Sequence, residues 1–272
     1  MKSKKVLSVR SRNKKSTKNN KSFVGNIIIC ICVLVMIVSG TFIAKDLKER
    51  FNAKKEIKGL QAIKPEISYT ANTPKETLEE KYAELKGINS DYVGWLSIPD
   101  SDIDLPVVQC SDNDYYLKVS FRDEYNSAGC LFLDCGNDSL FQDQNSVIYG
   151  HAMLDGTMFG ELKKYREQAY YESHPFIYVL TEHWTYVYQV YSVNVVTPDY
   201  DYRRSNYGED FNYLLSDIKP NSYVSSSAYA DSSSKMLTLS TCTGMNGENR
   251  LVVFAVLLNP DGTEVDTSKI SL

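Results

Sequence analysis

From about residue 92 to residue 258 the chain is a series of short apolar runs, rich in Val, Ile, Leu and Tyr. Gly, Pro, Asp, Asn and Ser interrupt them. Runs of this length and makeup, bounded by turn residues, predict β-strands. Val93–Ile98 and Ile103–Val108 flank the turn cluster Pro99-Asp100-Ser101-Asp102 and predict a hairpin. Gly129–Leu133 and Ser146–His151 predict two further short strands. Phe176–Thr181 and Thr185–Val196 predict a second hairpin, and Lys235–Thr241 and Leu251–Leu258 complete the set. Helical spacing is rarer. Thr73-Pro74-Lys75-Glu76 has the form of a capping box with Pro at the first helical position. Leu78, Tyr82 and Leu85 follow at helical spacing, and Gly87 ends the run. Met158–Tyr171 predicts a helix with Phe159, Leu162, Tyr165 and Ala169 near one face, and a shorter one lies within Gly208–Ile218. About eight strands with few helices predict a mostly β fold, closed or nearly closed into a barrel, because closure removes sheet edges. Ser225–Ser234 is expected to be a loop, and the chain shows no internal repeat.

The N-terminal pattern is different. Ile27–Ala44 carries no charged side chain, and the apolar character begins at Phe23. A helix over that stretch would span roughly 27 Å, about the thickness of a bilayer core. Before it lie Lys2, Lys4, Lys5, Arg10, Arg12, Lys14, Lys15, Lys18 and Lys21, and no acidic residue occurs before Asp46. This asymmetry predicts a cytoplasmic tail and an exported, acidic body. The rival reading is a cleaved signal peptide, with small residues at Val38-Ser39-Gly40. The long basic region and the length of the apolar run favour an uncleaved anchor. The expected organisation is a basic tail over 1–22, a transmembrane anchor over 23–44, a Lys-rich stalk or linker over 45–74 and a single body over 75–272. All 34 acidic residues lie beyond the tail and anchor, so the body is a poor candidate for nucleic-acid binding.

Among six cysteines, Cys30 and Cys32 fall in the apolar run, and Cys110, Cys130, Cys135 and Cys242 in the body. No pair has zinc-ligand spacing that convinces. Buried free thiols are the ordinary reading of Cys110, Cys130 and Cys135. An exported body also permits a Cys110–Cys135 disulfide, since each follows the end of a predicted strand.

Cys242 stands apart. It ends a predicted strand and opens the Gly- and Asn-rich loop Thr243–Asn249, which would place its thiol at a barrel rim. A thiolate is a strong nucleophile, and the thioester it forms is reactive. Arg250 opens the last strand across that loop, where a guanidinium can stabilise an oxyanion. His151 ends its own predicted strand and could hand a proton to a leaving amine. His174 and His183, the other two histidines, fall in predicted turns. Each member alone has an ordinary reading: a buried thiol, a turn histidine, a surface arginine. The three together are far more specific.

Thr238-Leu-Ser-Thr-Cys242 with Arg250 eight residues on, and Tyr149-Gly150-His151, resemble the sortases. Ile148–His151 followed by Thr157-Met158-Phe159 and a helix resembles class B. So do Pro106-Val107-Val108-Gln109 with Asp112-Asn113-Asp114-Tyr115-Tyr116-Leu117, and the long insertion after the sixth strand. The resemblance covers about residues 75 to 258. It implies an eight-stranded sortase-like β-barrel with an N-terminal helix and short connecting helices, held outside the membrane by a single helix. It also implies a cysteine transpeptidase that cleaves a C-terminal sorting motif of secreted proteins after its Thr and passes the acyl group to a cell-wall precursor amine. Carried over by motif, Cys242 is the nucleophile, His151 the general acid and base, and Arg250 the oxyanion or substrate clamp. Asn113, Leu117, Tyr149, Tyr202 and Ser240 match substrate-contact positions. Arg203, where a better-known class B pattern has an apolar residue, and Thr243, where an acidic residue often follows the Cys, bear on the sorting motif rather than on the reaction. No cofactor or metal is expected. Three other readings stay open on sequence alone: a pilus-subunit polymerase with a Lys amine as acceptor, a hydrolase that uses the same thiol and lets water resolve the thioester, and a membrane-anchored binding module without activity.

Overall fold

The computed structural model describes residues 18–65, 75–244 and 248–259, with 265 and 267. The capping-box residues Thr73 and Pro74 lie outside them. A helix, α1, runs from Lys18 to Gln61. The chain divides into two compact bodies, one ending at Lys48 and the other beginning at Glu49. In the first, Phe23, Ile29, Leu34, Met36 and Phe42 are exposed apolar side chains. This part of α1 is long and apolar enough to cross a membrane.

In the second body, the last turns of α1 carry the buried residues Ala53 and Leu60. Ile57 packs against the interior apolar cluster, and Glu56 accepts a hydrogen bond from the backbone of Arg122 at 2.9 Å. The helix α2 (Lys75–Ile88) follows. Eight strands then close a barrel: β1 (Tyr92–Ser97), β2 (Asp104–Val108), β3 (Leu131–Leu133), β4 (Asn145–Tyr149), β5 (Phe176–Leu180), β6 (Thr185–Val196), β7 (Met236–Cys242) and β8 (Arg250–Leu257). Their order around the barrel is β1-β2-β3-β4-β7-β8-β6-β5. The pairs β2–β3 and β4–β7 are parallel, and the others are antiparallel.

Val107, Leu131, Ile148, Val179, Val193, Leu239 and Val253 fill the interior. The outer faces are also covered. Leu60, Leu78 and Leu85 close over Tyr92, Trp95, Val108 and Phe132. The long β6–β7 connection, with α4 (Phe211–Ile218), lays Tyr202, Phe211 and Ile218 over Val147, Met236, Val252 and Phe254. With both faces buried, strands need not alternate apolar and polar residues, and β1 is buried at every position.

The expected Met158–Tyr171 helix is two pieces. A 3-10 helix covers Gly160–Arg166, and α3 covers Gln168–Ser173. Glu167 between them is extended, at φ −105° and ψ 126°. Phe159, Leu162 and Tyr165 are each fully buried and recur every third residue, which matches three residues per turn better than 3.6. In the body Cys130 is buried, Cys110 and Cys242 are half-buried and Cys135 is exposed; all four are free thiols. Cys110 and Cys135 therefore depart from the buried reading, and the two are not joined in a disulfide.

Candidate active site

Cys242 is the last residue of β7 and Arg250 the first of β8, and the two are register partners. Side chains directly opposite in an antiparallel pair share a face, with Cβ atoms roughly 5 Å apart. The loop between them is closed by the Thr243 N–H on Asn249 O at 3.2 Å. Arg250 Nη1 donates to Glu248 O at 3.1 Å, which turns the guanidinium along the rim.

His151 reaches the same rim from β4. The parallel β4–β7 ladder ends with Tyr149 beside Ser240. Beyond it, Gly150 N donates to Ser240 O at 3.3 Å and Thr241 Oγ1 donates to Gly150 O at 2.7 Å. His151 follows directly on Gly150, two residues past the last ladder pair, as Cys242 lies two past Ser240. The strand itself stops at Tyr149 rather than at His151 because the Thr241 hydroxyl, not the ladder, takes the Gly150 carbonyl. A Cβ on Gly150 would lie 2.4 Å from Leu131 and 2.8 Å from Phe159, so only glycine fits immediately before the histidine.

His151 Nε2 lies 2.8 Å from Leu117 O. A carbonyl can only accept, so Nε2 carries the proton and Nδ1 is the basic nitrogen of the neutral ring. Leu117 closes a 3-10 turn, Tyr115–Leu117. That turn is anchored by Tyr116, whose hydroxyl donates to Asp91 at 2.9 Å and accepts from Asn89 Nδ2 at 3.1 Å. Gly129, at φ +63°, passes beneath it where a Cβ would meet Tyr116 O at 2.4 Å.

The remaining expected residues fall into two linked groups. Asp134, just past β3, accepts from Tyr149 OH at 2.7 Å and from Asn113 Nδ2 at 3.0 Å. Burial and this carboxylate push the Tyr149 phenol well above its ordinary pKa. Tyr202 OH and Ser240 Oγ are hydrogen-bonded at 2.8 Å. Both are buried, Tyr202 to 1 % exposure, so they brace the outer face of β7 from beneath the β6–β7 connection. Arg203 lies over the Tyr202 ring at 5.3 Å.

Two residues in this support escaped the sequence reading. Asp134 joins Asn113 to Tyr149. Asn145 donates to Tyr202 O and Arg204 O at 3.0 and 2.9 Å and accepts from Thr238 Oγ1 at 2.6 Å. The one sequence signal for Asp134 was an acid directly after an apolar triplet.

Ser240 and Cys242, two apart on β7, share the outer face with Tyr149 and Arg250. The inner side of the same rim opens into a second space. It is a cavity of about 140 Å³ lined by Cys242, Thr241, Leu251, Met153, Lys163 and Arg166, among others. None of Asn113, Leu117, Tyr149, Tyr202 or Ser240 lines it. Among the described residues no group of three or more His, Cys, Asp or Glu side chains is placed to hold a metal ion.

The Sortase domain family model matches residues 96–258, more than half of the chain. Sortase B of Listeria monocytogenes is 33% identical over 224 residues, covering 82% of this chain and 91% of that protein. Sortase B of Staphylococcus aureus is 28% identical, covering 85% of this chain and 96% of that protein. A solved Staphylococcus aureus sortase B–substrate complex superposes with a TM-score of 0.69 at 27% identity, covering 78% of this chain and 98% of its own.

Proposed function

Because the chain belongs to the sortase family, class B, a family of transpeptidases, we propose that it is a cysteine transpeptidase acting outside the cytoplasmic membrane. Its substrates are secreted proteins with a C-terminal sorting motif, cleaved after the motif's Thr. Its acceptor is an amine of a cell-wall precursor. Residues 1–22 form the cytoplasmic tail, 23–44 the anchor, 45–74 the linker and 75–272 the catalytic body.

The Cys242 thiol gives its proton to Nδ1 of His151, the resulting thiolate attacks the carbonyl carbon of the scissile amide, and a tetrahedral oxyanion forms. The Arg250 guanidinium, on the same face, meets that negative charge. His151 gives a proton to the departing amine nitrogen, the C–N bond breaks, and a thioester to Cys242 remains. The incoming amine attacks the same carbon and gives its proton to His151. The C–S bond then breaks, and the thiolate is restored. The Leu117 carbonyl holds Nε2–H and leaves Nδ1 for these proton transfers. Asn113, Leu117, Tyr149, Tyr202 and Ser240 border and brace the outer groove in which the sorting peptide lies.

The observation that carries this reading is the register. Cys242 is paired with Arg250, and β4 runs parallel to β7 as far as Tyr149 beside Ser240, two residues before His151 and Cys242. The test is product analysis on a panel of sorting-motif peptides with and without a small amine. The reading expects cleavage after Thr and an amide product that grows with amine concentration. Acid product alone at every amine concentration would make the protein a hydrolase. Use of a protein Lys amine in preference to a precursor amine would make it a polymerase.

A further inference from the structure

Resting on the acyl-transfer reading, we propose that Lys54 and Glu56, on the last turns of α1, are positioning residues for His151: together they seat the two segments that fix the histidine ring and its backbone.

The first segment fixes the ring. His151 Nε2 is held by Leu117 O, so the ring turns with Leu117. The chain leaves Leu117 into a small hairpin over 118–126. The Val119–Tyr125 bridge closes it, together with the Asn126 N–H on Lys118 O at 2.9 Å. At the tip of that hairpin the Arg122 N–H donates to the Glu56 carboxylate at 2.9 Å, and the Ser120 hydroxyl bonds the same carboxylate. Phe121, between them, is buried in the cluster that also holds Leu60 of α1. Tyr116 therefore anchors the entry of the Leu117 turn, and α1 anchors its exit.

The second segment fixes the backbone. The His151 carbonyl accepts the N–H groups of Met153 at 3.1 Å and Phe159 at 3.0 Å, so the loop leaves the histidine and returns to it. Near the tip of this loop Asp155 is clasped from two sides. The Thr157 hydroxyl donates to it at 2.7 Å, and Lys54 Nζ pairs with it at 3.0 Å. Met158 closes the loop against Ala152 with φ +52°, a left-handed conformation that the surrounding packing must hold. That packing includes α1: Ala53, Ile57 and Leu60 line one cavity of only about 20 Å³ together with Phe121 and Met158.

Helix geometry joins the two. Ala53, Glu56, Ile57 and Leu60 recur at three- and four-residue spacing, so they form one stripe turned to the body, and Lys54 flanks it. One rigid element thus holds the support of the ring through Glu56 and the support of the backbone through Lys54. Neither contact adds much stability, because the Lys54–Asp155 pair is partly exposed and the Glu56–Arg122 contact is a single hydrogen bond. Their value is positional: a displacement of about 1 Å at a catalytic group costs about 100-fold in rate.

The experiment has two arms, both on the full chain in detergent. The first needs no substrate. The histidine nitrogens are isotopically labelled, and the Nε2–H proton of His151 is observed by nuclear magnetic resonance. Leu117 O holds this proton against exchange with water, so its resonance is expected in the wild type. It should be lost in Lys54→Ala/Glu56→Ala and return in Lys54→Arg/Glu56→Gln, which keep a cation and an acceptor. His174 and His183 serve as references in the same molecule, and their signals should not move. A His151 resonance that persists in the double alanine variant overturns the positioning role, and so does its absence from the wild type.

The second arm is steady-state cleavage of a sorting-motif peptide. In Lys54→Ala/Glu56→Ala, kcat is expected to fall about tenfold while KM stays within about twofold, because the outer groove is untouched. Lys54→Ala alone removes an exposed side chain and should lower kcat about threefold. Asp155→Asn should match it, and the two together should cost no more than either. Wild-type kcat in the double alanine variant, no recovery in Lys54→Arg/Glu56→Gln, or losses at Lys54 and Asp155 that add, overturn the proposal. If the double alanine variant does not fold, the Lys54→Ala and Asp155→Asn pair decides. If no peptide is cleaved by the wild type, the transpeptidase reading fails; the resonance arm still decides whether α1 seats His151.

Discussion

Cys242, His151 and Arg250 occupy positions where each side chain can be tested by a single substitution. Cys242→Ala is expected to reduce peptide cleavage to background while the melting temperature stays close to wild type; measurable turnover would remove the nucleophile assignment. His151→Ala should lower kcat/KM by about 100-fold or more, and a loss under about tenfold would remove the proton carrier. Arg250→Lys should cost about tenfold to 100-fold, because Lys has no planar fork; wild-type rates would make Arg250 structural. The strand-end positions of Cys242 and Arg250 were legible in the sequence because a polar, reactive side chain bounds an apolar run, whereas His151 was expected to end a strand that stops at Tyr149. Asp134 and Asn145 were not legible. Their value comes from partners such as Tyr149 and Thr238, and Thr238 lies 93 residues from Asn145. Tyr202 was placed among substrate contacts, and its ordinary alternative was a surface aromatic. It is instead buried on Ser240.

The 3-10 helix Gly160–Arg166 is the element that shapes the barrel mouth, and it differs from the α-helix expected over Met158–Tyr171. The period of three in Phe159, Leu162 and Tyr165 was present in the sequence, but three apolar positions also fit one face of an α-helix. Gly160→Ala drives a methyl group into the Met153 carbonyl and should destabilise the body by about 1–3 kcal/mol, read by chemical denaturation. An unchanged midpoint would show that the wall can move. Glu161 on the same helix is 7% exposed on its side chain. Burial pushes its carboxyl up, but Lys164 and the Asp102 N–H outweigh it and hold the carboxyl below its ordinary range. A depressed folded-state pKa gives stability that is present above the unfolded value, about 4.3, and lost as pH falls through the folded one. The melting-temperature advantage of wild type over Glu161→Gln should therefore shrink between pH 6 and pH 3. An advantage independent of pH would assign it to packing. The strands were the most legible elements, and β6 matches its expected bounds at Thr185 and Val196. The last turns of α1 were the least legible, because buried Ala53 and Leu60 are scattered among lysines and glutamates.

At the scale of the whole chain, a basic segment, an apolar helix and an acidic body follow one another. The proposed topology expects external protease to digest the body on intact protoplasts and to leave a fragment containing residues 1–44; a protected body would reverse the orientation. Closure of the barrel was legible from many short strands with few helices. The parallel pairs β2–β3 and β4–β7 were not, because a strand pattern carries no direction. Yet it is the parallel β4–β7 pair that runs the chain leading to His151 alongside the strand that ends at Cys242. The account therefore rests most directly on the intact mass of the whole chain after mixing with NPxTx- and LPxTG-like peptides. The prediction is one acyl adduct, mapped to Cys242, absent from Cys242→Ala and discharged as an amide when an amine is added. An adduct on another residue, or the same adduct in Cys242→Ala, would contradict it.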